Sequence, residues 1–256
     1  MNLVDTIEKF KFDFPSSSFN VYLGKRRSGK SVLCEYIISS LFNEGKIDCC
    51  FLFSETDAGF DIITDPECRF TDIDNLYTIL ENYELYNEYN KLQDKKSKQI
   101  KIRTAIVIDD MAIKLKTKEF NILEELSTIG RHKAYPPLSL SFHILAQSLT
   151  KIPRVVRLNT DIIFLNQISS LKEVELVLDE NLYILSSTLE EKRSAKQLYY
   201  DIVLKDDFAF MAICNYKQNC REYKDYLFSV KAKLDKNGKV EGENKKKIKK
   251  KSYAEN

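Results

Sequence analysis

The chain has 256 residues, 43% of them hydrophobic, and 40 Lys and Arg stand against 38 Asp and Glu for a net charge of +2. That is enough chain for one large α/β domain, or two small ones, with a substantial core. It contains no run of about 18 apolar residues and no charged-then-apolar leader, which argues against membrane-spanning and secreted classes. Six cysteines with no Cys-x-x-Cys pair and only two histidines argue against a zinc site, and for reduced thiols in a cytosolic compartment.

In chain order, Phe19-Asn20-Val21-Tyr22-Leu23 predicts a strand leading into Gly24-Lys25-Arg26-Arg27-Ser28-Gly29-Lys30-Ser31, a complete phosphate-binding P-loop. A nucleoside triphosphate carries about four negative charges, so the backbone must approach it closely and present N–H groups. Gly24 and Gly29 leave the backbone free to curl. Lys30 is placed to reach the β- and γ-phosphates, and the Ser31 hydroxyl to take a position on Mg²⁺. A helix from Ser31 to about Phe42 is predicted by the spacing of Leu33, Ile37, Ile38 and Leu41. Its N-terminal dipole adds to the attraction for phosphate.

Ile47 to Phe53 reads as a buried strand, and Leu76 to about Leu92 as a helix carrying Ile79, Leu80, Tyr83 and Tyr86 on one face. Those tyrosines read as core in preference to a base-stacking stripe. Asp94 to Lys98 is an exposed loop. Thr104-Ala105-Ile106-Val107-Ile108 predicts a fully buried strand, the kind found in parallel sheets. It ends in Asp109-Asp110, the pattern of a Walker B element. Asp109 would hold Mg²⁺ through water opposite Ser31, and Asp110 would orient or deprotonate an attacking water.

A helix is expected over Glu119–Ile129 and a strand over Phe142–Ala146, followed by Gln147, whose carboxamide could sense the γ-phosphate. Asp161–Leu165 is another strand. The last third offers helices near Leu171–Leu178 and Leu189–Tyr199, then a strand around Ala209–Ile213. Alternation of buried strands with helices predicts an α/β fold with right-handed crossovers and a mainly parallel sheet. Oligomeric ATPases commonly need a guanidinium from a neighbouring subunit, and Arg157 and Arg131 are the candidates.

From Val230 to the end, ten lysines stand against four acidic residues, a local balance of +6. Residues 1–229 are read as a single ATPase domain and 230–256 as a disordered lysine-rich tail. Such a tail neutralises phosphates of any sequence, or serves as a nuclear-import signal, or only aids solubility.

The order of strand, Gly-Lys-Arg-Arg-Ser-Gly-Lys-Ser, helix, Ile-Val-Ile-Asp-Asp, Gly-Arg-His and the stretch Gln147 to Phe164 resembles the genome-packaging ATPases of nucleocytoplasmic large DNA viruses. These are the poxvirus-type, giant-virus and virophage enzymes of the FtsK–HerA superfamily. The resemblance runs from about Phe14 to Phe164 and rests most on Gln147, Pro153, Arg157 and Asn159. It implies a RecA-like P-loop ATPase core, a homo-oligomeric ring, ATP with Mg²⁺, and double-stranded DNA as the translocated partner. It further implies a capsid or portal protein as a second partner, and the host cytoplasm, viral factory or virion as location. Cellular translocases commonly carry an arginine where this chain has Asp161. The competing readings are a single-strand helicase, a nucleotide kinase, and a nucleotide-gated assembly switch. A small GTPase is disfavoured by the lack of a base-reading Asn-Lys-x-Asp.

Overall fold

The computed structural model describes residues 14–15, 17–56, 59–111, 123–124, 126–128, 136–182, 189–204, 206–216 and 226–234. Among the described residues eight strands form one sheet: β1 (Ser18–Leu23), β2 (Cys49–Ser54), β3 (Arg69–Phe70), β4 (Arg103–Asp109), β5 (Ser139–Ala146), β6 (Ile162–Leu165), β7 (Phe210–Cys214) and β8 (Leu227–Val230). Their order across the sheet is β3-β2-β4-β5-β1-β6-β7-β8. The first six strands are parallel to one another, whereas β7 runs against β6 and β8 against β7. The helices whose bounds are described are α1 (Lys30–Asn43), α2 (Asn75–Lys91), α3 (Arg154–Leu158), α4 (Leu171–Leu182) and α5 (Leu189–Val203).

Alternation along each strand divides the core into two layers. Phe19, Val21 and Leu23 of β1, with Ile106 and Ile108 of β4, face α2, α4 and α5. Tyr22, with Ala105 and Val107, faces Leu33, Ile37, Ile38 and Leu41 of α1. Strands covered on both sides carry few polar residues, which is why β4 and β6 read as near-continuous apolar runs. The helical layers also settle the role of the tyrosine face of α2. Tyr83 is buried and its hydroxyl donates to Thr104 Oγ1 of β4, and Tyr86 packs edge-on against it.

The α/β architecture with a mostly parallel sheet matches the expectation, and some strands differ from it in extent. The two-residue β3 and the four-residue β8 are edge strands too short to give a periodic signal. Three residues more than foreseen belong to the start of β5, because Ser139, Leu140 and Ser141 pair with Arg103, Thr104 and Ala105. The helix foreseen over Glu119–Ile129 is described only at residues 123–124 and 126–128, which are helical. The lysine-rich stretch of the tail lies outside the described residues, and Val230, the first residue of the expected tail, is a buried residue of β8. No helix among the described residues is long and apolar enough to cross a membrane.

Candidate nucleotide site

β4, β5, β1 and β6 are neighbours and run in the same direction, so their carboxyl ends share one edge of the sheet. Ligands of open α/β sheets collect at that edge. Here it carries the P-loop after β1, Asp109-Asp110 after β4, Gln147 after β5 and Asn166-Gln167 after β6.

The P-loop is tied down from both flanks. Gly24 N donates to Ala146 O at 3.3 Å and Lys25 N to Gln167 O at 2.7 Å. A Cβ on Gly24 would stand 2.6 Å from Ser28 Oγ and 3.2 Å from Asn166 Cβ, so the turn closes only without one. Gly29 takes a φ of 86°, a left-handed conformation glycine adopts without penalty, and Arg27 sits at 63°. Leu33 N then donates to Gly29 O at 2.8 Å, the first bond of α1. Lys25, Arg26 and Arg27 are exposed at the tip of the loop.

Lys30 is folded back beneath this turn. Its Nζ donates to Gly24 O at 2.9 Å and Lys25 O at 3.1 Å, and the residue is only 8% exposed. Burial lowers its pKa, while the charges of Asp110 and Asp109 act in the opposite sense. An ammonium held by two carbonyls at the mouth of an N–H-lined turn is suited to meet a phosphate, since the loop accepts its charge without fixing it in an ion pair. Ser28 Oγ is buried and finds no hydrogen-bond partner among the described residues.

Ser31 Oγ donates to Asp109 Oδ2 at 3.2 Å. Burial raises the Asp109 pKa, partly offset by the Ser31 hydroxyl. A hydroxyl and a carboxylate in contact at a sheet edge are the oxygen donors that a Mg²⁺ carrying several waters requires, so these residues fit the ion. Asp110 turns away from its strand with a φ of 53°, held by its N–H on Leu145 O at 3.2 Å. Asp is among the few non-glycine residues that adopt this conformation readily. In this position its carboxylate accepts a hydrogen bond from Gln147 Nε2. The sequence-predicted Lys30, Ser31, Asp109, Asp110 and Gln147 are thus assembled at one edge.

The arginines are arranged differently. Arg157 lies on α3 with its side chain 10% exposed, and its Nη2 pairs with Glu180 Oε1 of α4 at 3.1 Å. Its Nη1 also approaches Leu149 O at 3.5 Å. Arg131 and the Gly-Arg-His segment lie outside the described residues. Asp161 is buried, and its Oδ2 accepts the Phe19 N–H at 2.8 Å. It fastens the start of β6 to β1, a task a guanidinium cannot perform because it has no acceptor.

Four functional neighbours were not foreseen from the sequence. Glu173 of α4 accepts from Ser148 Oγ at 2.6 Å and Leu149 N at 3.3 Å, latching the segment that follows Gln147. Glu180 holds Arg157. Asn166 is fully buried, and Gln167 presents its carbonyl to the P-loop. The last two had a readable signal, polar residues directly after an apolar strand, the same signal that marked Gln147.

No protein-family model matches the chain, and no curated protein matches it. Solved structures do. The genome packaging NTPase B204 from Sulfolobus turreted icosahedral virus 2, in complex with sulfate, aligns with TM-score 0.57 at 14% identity, covering 87% of this chain and all of that one. The same protein in complex with ATP-gammaS gives 0.54 at 16% identity over 85% of this chain and 98% of that one. The pCW3 conjugation coupling protein TcpA with ATPgS gives 0.53 at 16% identity, covering 84% of this chain and 60% of that one. The chain therefore shares its fold, that of a P-loop NTPase, with a viral genome packaging NTPase and a conjugation coupling protein.

Proposed function

We propose that the chain is an ATPase that couples ATP hydrolysis to translocation of double-stranded DNA, in the packaging of a viral genome. The observation that carries the hydrolytic part is the Asp110–Gln147 hydrogen bond beside the Ser31–Asp109 pair. A kinase would need its acceptor hydroxyl to meet the γ-phosphate, whereas a carboxylate joined to a carboxamide is arranged to hold a water. The DNA-handling part is supported by the fold shared with a genome packaging NTPase and a conjugation coupling protein.

In this reading the P-loop N–H groups and Lys30 bind the phosphates, and Ser31 with Asp109 holds Mg²⁺. The metal ion, when bound, neutralises charge on the phosphate oxygens. Asp110 accepts a proton from the attacking water, and Gln147 fixes the rotamer of that carboxylate. When the γ-phosphate leaves, the Gln147 carboxamide loses a partner. The change passes to Ser148 and through Glu173 to α4. A guanidinium from the next subunit of a homo-oligomeric ring completes the site. The Glu180 pair occupies Arg157, which favours Arg131 for that task. A capsid or portal protein is the docking partner, the lysine-rich tail adds sequence-blind DNA contact, and the activity resides in the host cytoplasm, viral factory or virion.

The test is steady-state ATP hydrolysis without DNA, with duplex DNA and with single-stranded DNA, using Lys30→Ala as the blank. Stimulation by duplex alone supports the translocase. Preference for single strands transfers the reading to a helicase, and a Lys30-dependent rate indifferent to both forms overturns DNA coupling.

A further inference from the structure

The reversal of direction at β7 has a local result. Leu165 at the carboxyl end of β6 pairs with Met211 near the start of β7. The segment that feeds β7, residues 206–209, therefore reaches the same sheet edge as the P-loop. Phe208 in that segment is 52% exposed, and its Cδ1 lies 3.0 Å from the position a Cβ on Gly29 would occupy. Scattered exposed apolar side chains are ordinary. This one is held in place by a backbone with many ties. Asn166 Nδ2 donates to Asp207 O at 3.2 Å and Ala209 O at 2.6 Å. Gln167 Nε2 donates to Asp207 Oδ1 at 3.3 Å, Phe208 N to Asp206 Oδ1 at 3.1 Å, and Lys231 pairs with Asp206. Asn166 and Gln167 are also the residues that flank the P-loop, Asn166 by its Cβ against Gly24 and Gln167 by its carbonyl on Lys25 N.

We propose that Phe208 is the nucleobase platform of the site, its exposed ring face receiving the purine of the bound nucleotide. The inference rests on the reading of the chain as an ATPase. A base is joined to the α-phosphate through one ribose, so any surface that receives it lies beside the loop that holds the phosphates. Phe208 supplies apolar aromatic surface there, and every base has a π-face to offer it. Stacking on a phenyl ring is indifferent to the base edge, so the platform adds affinity without choosing adenine over guanine. The base it would receive takes no part in the bond that breaks. The platform therefore stabilises ground state and transition state alike, and its loss falls on KM and leaves kcat.

The chain has no tryptophan, so Phe208→Trp places a single tryptophan at the platform. The expected result is saturable quenching of Phe208→Trp by ATP and by GTP, and none by inorganic tripolyphosphate. Phe208→Ala should bind ATP on the order of ten-fold more weakly while keeping its affinity for tripolyphosphate. Lys30→Ala should lose both ligands. If Phe208→Ala binds ATP as wild type does, or ATP leaves the Phe208→Trp emission unchanged while binding tightly, the platform is overturned and the ATPase reading stands. An equal loss of ATP and tripolyphosphate affinity in Phe208→Ala likewise overturns it. If the wild-type chain binds no ATP at all, both fall.

Discussion

Arg157 and Glu180 form an ion pair inside the chain, 3.1 Å between Nη2 and Oε1, with side chains 10% and 11% exposed. A charge this buried is costly once its partner is gone. Glu180→Ala should lower stability by about 3–5 kcal/mol in urea denaturation, leaving an uncompensated guanidinium against Leu149 O. The double variant Arg157→Met, Glu180→Leu should recover most of that loss, because an apolar pair of similar volume replaces an ionic one. If Glu180→Ala is neutral, the pair is not formed in solution and Arg157 is free for a neighbouring subunit.

The Gln147–Asp110 bond leads to a kinetic prediction. Asp110→Asn should bind ATP normally and hydrolyse it about 10²–10⁴-fold more slowly, the usual loss for a missing general base. Gln147→Ala added to Asp110→Asn should cost much less than Gln147→Ala alone, since hydrogen-bonded residues act as a unit. Additive losses in log rate would separate the two roles.

Gly29 and Gly45 have φ values of 86° and 65°, and only the first has a neighbour in the way of a Cβ. Gly45→Ala should cost only the left-handed strain, about 1–2 kcal/mol. Gly29→Ala should cost more in thermal unfolding, because Phe208 stands 3.0 Å from the new methyl and must give way. It should also weaken ATP binding, which Gly45→Ala leaves alone.

Stability should depend on pH through His143. The ring is fully buried, Tyr22 Oη and Ser141 Oγ lie at 2.9 and 3.3 Å from its nitrogens, and burial pushes its pKa down to about 3 from 6.5. The aromatic rings of Phe14 and Tyr22 are tilted against it. The folded state therefore binds fewer protons than the unfolded chain between those two values, and stability rises with pH across that window. Acidifying from pH 7 to pH 5 should cost about 2 kcal/mol from this residue alone. His143→Gln should flatten the acid limb of a Tm-versus-pH curve by that amount. An unchanged slope would mean the imidazole is not buried neutral.

The sheet and its principal site were legible because each rests on a local pattern. β1, β4 and β6 are buried on both faces and read as apolar runs, and the chemistry follows them at their carboxyl ends as Gly24–Ser31 and Asp109-Asp110. What escaped was held by contacts remote in sequence. Glu180 lies on a helix that carries three other acids, and only folding brings it to Arg157. Phe208 resembles any turn residue until the reversal at β7 delivers it to Gly29. Tyr83 and Tyr86 of α2 read as core because their helical spacing matches Leu76, Ile79 and Leu80, all of them buried.

The backward run of β7 also divides the labour of the edge between two stretches of chain. Everything proposed to touch phosphate, metal ion or water is encoded before residue 148, and what would touch the base arrives after residue 205. Asn166 and Gln167 bridge the two, one through a carboxamide and one through a carbonyl. Turnover and affinity for the base are therefore separable by mutation. Residues 206–209 can be rewritten to tighten or loosen the hold on the base without altering an atom that takes part in hydrolysis.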